Sequence, residues 1–140
     1  MPRKTLSVRI SDELRERLDA SADAEGTTVT ALVERFVNEG LATANHPGVV
    51  FKSGPSGRRA ALAGGPDIWE IAAALRHTTG SESKRVGALA EEFGIHPRQV
   101  NVALDYIAAN FDEVTARVAA NDRALDQAER HAADRERLLA

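Results

Sequence analysis

Residues 5–11, TLSVRIS, alternate strictly: Leu6, Val8 and Ile10 are apolar, while Thr5, Ser7 and Arg9 are polar. A period of two marks a strand with one dry and one wet face. The pattern then changes. Ser11 is a suitable helix N-cap, and Asp12 and Glu13 place negative charge in the first turn, where the helix dipole favours it. Leu14, Leu18 and Ala22 continue one helical face until Gly26 supplies a stop. Thr27 and Thr28 offer a new cap for a second helix, whose apolar face Val29, Leu32, Val33, Phe36 and Val37 ends near Gly40. The expected order is strand, helix, helix. A strand cannot leave its backbone groups unpaired, and this one has no local mate. A second copy of the chain would provide it. Antiparallel pairing about a two-fold axis would bury Leu6, Val8 and Ile10 with Leu32 and Phe36 in a dimer core, and would turn Thr5, Ser7 and Arg9 outward together.

From Leu41 the chain becomes rich in Gly, Pro, Ser and Asn, reading as a linker followed by a hairpin. Val49, Val50 and Phe51 form one short strand, KSGPSG the turn and RRAALAG the return. Gly64, Gly65 and Pro66 end it, and Asp67 can cap a helix with Ile68, Ile71, Ala72 and Leu75 on one face and Trp69 adjacent. Gly80 breaks that helix. Two more follow, joined through Gly94, with Pro97 in the first turn of the second. Ala90, Gly94 and Val100 have the spacing of a helix-turn-helix. After Asn110 a charged, Ala-rich helical tail carries a thin stripe of Val114, Val118, Leu125, Ala128 and Ala132, which would either meet a partner or pack on its own domain and fray after about Ala120.

Composition sharpens this picture. The chain is 43% hydrophobic but only 4% aromatic. A core of Ala, Val, Leu and Ile must be close-packed, which favours a mainly α fold. With no cysteine, no bilayer-length apolar run and no signal segment behind Met1, a cytoplasmic protein is expected. A formal charge of -3 argues against non-specific coating of nucleic acid, so any DNA contact must come from a local basic patch. Arg3, Lys4 and Arg9 form such a patch.

The stretch TLSVRISDELRERLDASADAEGTTVTALVERFV resembles the ribbon-helix-helix family of DNA-binding proteins, of the CopG and Arc type. The resemblance implies a two-stranded ribbon entering the major groove of double-stranded operator DNA, with Thr5, Ser7 and Arg9 reading bases. Residue chemistry agrees. Arginine can pair bidentately with guanine, and Thr and Ser hydroxyls can donate or accept. Arg3 and Lys4, with the free N–H groups of the second helix at Thr28, Val29 and Thr30, would hold phosphates. A dimerisation ribbon with a solvated outer face is the competing reading.

Residues 46–121, with GRRAALAGGPDIWE at their centre, are similar to the domain-of-unknown-function family 433, a small winged or three-helix domain found in bacterial antitoxins. Joined to an N-terminal ribbon-helix-helix, this resembles VapB-type antitoxins and implies a PIN-like ribonuclease toxin as partner. The carboxylate cluster of such a nuclease would accept a guanidinium, which singles out Arg58 and Arg59 as toxin contacts. A solvated turn, or a second phosphate contact near the ribbon, is their alternative. Lys84, Arg85 and Arg98 could bring the helix-turn-helix to DNA, but they are a thin footprint, and oligomerisation or toxin binding suits it better.

Catalytic chemistry is not evident. His46, His77, His96 and His131 lack companions at metal spacing, no serine sits in a Gly-x-Ser-x-Gly elbow, and AGGPD lacks the Lys of a phosphate loop. Glu91-Glu92 and Asp112-Glu113 read as solvated helix positions, and Trp69 as a core anchor. A non-enzyme without metal or cofactor is expected. The expected division is 1–43 for the ribbon-helix-helix, 44–120 for the hairpin and three helices, and 121–140 for the tail. The expected function is a homodimeric, possibly higher-order, antitoxin that represses its own operon and neutralises a toxin. A stand-alone repressor and a dimeric interaction adaptor are the alternatives.

Overall fold

Residues 2–10 form neither strand nor helix in the computed structural model, which describes residues 2–55 and 57–140. Regular structure begins at α1 (Asp12–Glu25), where the Ser11 hydroxyl accepts from the Leu14 N–H at 3.1 Å. It ends at Gly26, whose φ of 67° lets its N–H turn back to the carbonyls of Ala22 and Asp23. Helix α2 (Val29–Asn45) is capped by the Thr28 hydroxyl, which accepts from the Ala31 N–H at 3.1 Å. It passes through Gly40 instead of stopping there. Gly40 is exposed and is not among the glycines at positive φ, so it weakens the helix by about 1 kcal/mol relative to Ala without providing the left-handed turn of a terminator.

The chain divides into two compact units, Met1–Leu41 and Ala42–Ala140, with the division inside α2. In the first unit the buried apolar residues are Ala22 and Leu32. Arg35 of α2 ties back to the end of α1, its guanidinium donating to Glu25 at 2.7 and 3.2 Å. That hydrogen bond, with the charges of Glu25 and Glu39, holds the Arg35 pKa above its ordinary value against some loss of solvation.

The second unit opens with an antiparallel hairpin, β1 (Val49–Gly54) and β2 (Gly57–Leu62). Its register pairs Val49 with Leu62, Phe51 with Ala60 and Ser53 with Arg58. Ser56, in the expected KSGPSG turn, lies outside the described residues. Four helices follow: α3 (Ile68–Leu75), α4 (Glu82–Phe93), α5 (Pro97–Ala109) and α6 (Phe111–Leu139). Val49, Leu62, Ile71, Leu89, Val100 and Ala103 lie in one core, each at 1% exposure or less. Each buried Leu or Ile contributes about 1.5–3 kcal/mol by leaving water.

Local chemistry sets the helix ends. The Ser81 hydroxyl accepts from the Lys84 N–H at 3.3 Å to start α4, and Gly94 at φ 62° ends it. At the start of α5, His96 Nδ1 accepts from the Arg98 N–H while Gln99 Oε1 accepts from the His96 N–H, both at 3.0 Å. Pro97 fits the first turn because it has no N–H to satisfy.

One expectation of the fold is corrected. Among the described residues six helices hold 67% and the fold is mainly α, but the expected N-terminal ribbon-helix-helix is not shown. The reason is pairing. A strand exists through its ladder partner, and among the described residues the only sheet is β1–β2, which uses none of residues 5–11. Leu6 and Val8, the intended dry face, stand 83% and 69% exposed. The tail is helical as expected, α6 being one unbroken helix of 29 residues.

Candidate functional site

The N-terminal segment carries the predicted DNA contacts, and Arg3, Lys4, Thr5, Ser7 and Arg9 are all exposed. No acidic residue lies between Pro2 and Ile10, so the segment concentrates positive charge in an acidic chain. Arg3 lies 3.9 Å from Glu34, with both side chains mostly in solvent, a pairing worth little in water. Thr28 spends its hydroxyl on the cap of α2. The first-turn N–H groups of Val29 and Thr30 remain at the end of that helix where the dipole is positive.

The predicted dimer core is not assembled within one chain. Leu32 is 1% exposed, but Ile10 is 41% and Phe36 47% exposed. With Leu6, Val8, Leu14, Val33, Val37 and Leu41, they give the first unit an extensive apolar surface.

In the second unit the two arginines proposed for toxin contact behave differently. Arg59 pairs with the carboxylate of Asp67, which also accepts from the Trp69 indole N–H at 3.2 Å. Asp67 is 8% exposed, so this pairing satisfies a charge that burial would otherwise penalise. Gly54 is part of the same arrangement, because a Cβ there would collide with the Arg59 guanidinium. Arg58 donates to the Ser53 hydroxyl at 3.0 Å, and its carbonyl accepts from Arg117 at 2.9 Å.

Helices α4 and α5 are joined through Gly94, Ile95 and His96, but Arg85 is spent inside the fold. It donates to the Thr78 hydroxyl at 2.8 Å and to the Leu75 carbonyl at 3.2 Å, closing the end of α3. Lys84 and Arg98 stay exposed.

Sequence reasoning missed the Arg59–Asp67–Trp69 cluster and the His96 cap. A lone acid between Pro66 and Ile68, flanked by apolar residues, was the available signal for the first. Burial pushes the Tyr106 phenol up to about 12, with the charge of Glu113 adding to it. The space bounded by Trp69, Tyr106, Val114 and Arg117 is about 10 Å³, room for one water at most, so it offers no effector pocket. Among the described residues no group of His, Asp or Glu could hold a metal ion, and no helix is long and apolar enough to cross a membrane. No family model, curated protein or solved structure matches the chain.

Proposed function

We propose that the chain is a sequence-specific DNA-binding antitoxin of a type II toxin–antitoxin pair. It works in the cytoplasm as a homodimer, represses its own operon and neutralises a PIN-like ribonuclease by protein–protein contact. The observation that carries the reading is the first unit: an exposed, acid-free segment with Arg3, Lys4 and Arg9, together with large apolar side chains left exposed at Leu6, Val8, Phe36, Val37 and Leu41. On this reading Arg3, Lys4 and the first-turn N–H groups of α2 take phosphates, while Thr5, Ser7 and Arg9 meet base edges. Affinity falls steeply with salt, because each neutralised phosphate releases counterions. The toxin half rests on the resemblance of residues 46–121. Arg58 and Arg59 are the side chains to test there.

The test is growth after inducing the neighbouring reading frame, alone and together with this chain. Arrest relieved by co-expression supports the antitoxin. No arrest, with operator binding intact, leaves a plain repressor, and no sequence-selective DNA binding leaves a dimeric adaptor.

A further inference from the structure

Helix α6 leaves its own unit at a definite point. Val114 and Val118 are buried, and Arg76 donates to Asp122 at 2.8 and 3.3 Å. From Arg123 to Leu139 every residue is exposed, roughly 25 Å of helix that packs on nothing in its own unit. The stripe that faces inward at Val114 and Val118 continues along this free part through Leu125, Ala128, Ala132 and Leu139, a four–three heptad spacing in which Asn121 and Arg135 occupy the two intervening positions. Leu125 is 56% and Leu139 74% exposed. An established packing face therefore runs on past the core that it serves.

The charges beside this face recur every heptad: Asp122-Arg123, Glu129-Arg130, Glu136-Arg137. Helical geometry puts the three acids in a line along one edge of the stripe and the three arginines on the far side, toward water. The other edge, Ala124, His131 and Leu138, carries no acid.

A second copy fits this face poorly. Antiparallel pairing would set the acidic edge against itself, with Glu129 facing Glu129 of the partner subunit. Parallel pairing would set the acids against Ala124, His131 and Leu138, with no Lys or Arg to meet, and would stack Arg135, which falls on the stripe, against its own copy. We infer that residues 122–139 dock on a partner protein, in an apolar groove lined with Lys or Arg along one rim. The inference holds whether or not that partner is a toxin.

The test uses the full chain and two synthetic helical peptides with Leu along the seam, one with Lys on the flanks and its twin with Glu. Both probes repel their own copies and stay monomeric. The Lys probe is expected to bind on the order of tenfold tighter than the Glu probe, the sum of a few opposed charge pairs. Glu129→Lys/Glu136→Lys should reverse the preference, and deletion of residues 123–140, which removes no buried residue, should abolish binding. Equal binding of the two probes, or binding that survives the deletion, would overturn the inference. So would a Leu125→Asp variant that halves the particle mass in sedimentation, because a second copy would then be the occupant.

Discussion

The two units of this chain solve the problem of apolar surface in opposite ways. Ala42–Ala140 encloses Val49, Leu62, Ile71, Leu89 and Val100 between a hairpin and four helices. Met1–Leu41 encloses only Ala22 and Leu32 and leaves Phe36, Val37 and Leu41 roughly half in water. The difference is one of element count. Two helices and an unpaired segment cannot surround an amphipathic face, whereas four helices closing on a sheet can. The first unit thus leaves an apolar face in water, and the second encloses its own core.

Truncation tests that contrast most strongly. Leu89→Ala should cost the second unit about 2–5 kcal/mol in denaturant unfolding, since a fully buried side chain leaves a cavity. Phe36→Ala, at concentrations too low for dimers, should cost under about 1 kcal/mol. Equal losses would erase the distinction. Asp67→Ala should come next, at about 2–3 kcal/mol, by leaving Arg59 and the Trp69 N–H without their acceptor; a silent variant would show that the cluster contributes no stability.

The single tyrosine reports on the same core. Because the Tyr106 pKa is raised from 10.0 to about 12, the unfolded chain ionises first as pH rises. The stability is complete below pH 10 and is lost up to about 12, to the extent of about 3 kcal/mol. Absorbance of the phenolate should therefore appear together with unfolding, and a free titration near 10 would contradict this burial. His96→Ala should cost α5 about 1 kcal/mol, read from the same denaturation curves, with Asn at that position restoring most of it.

The smallest effect is at the root of the free part of α6. The Asp122 carboxyl, hydrogen-bonded by Arg76, titrates below the ordinary aspartate range. Its contribution is present above the unfolded value and lost as pH falls through the folded one. By NMR, Arg76→Ala should return Asp122 to the ordinary range, as should high salt in part.

What was legible in the sequence follows the same division. Helix starts and stops at Ser11, Gly26 and Gly94 could be read because caps are local chemistry. The alternation of residues 5–11 is equally local, but a strand is not, and period two says nothing about where a mate will come from. Gly40 misled because glycine ends a helix only where the chain turns left-handed. The Arg59–Asp67 pair was hidden because its partners lie on different elements, brought together by the turn at Gly64 and Gly65. For α6 the acid–arginine recurrence was present in the letters, and it reads as an organised face only once the helix is seen to continue past its own core.

The most direct test of the central claim, that the first unit is completed by a second copy and by DNA, is sedimentation of a labelled duplex from upstream of the chain's own gene, titrated with the full chain. Two chains per site are predicted, with the complex lost in Phe36→Asp and base discrimination reduced by about 1–3 kcal/mol in Arg9→Ala. One chain per site, or no sequence-selective complex at physiological salt, would contradict it.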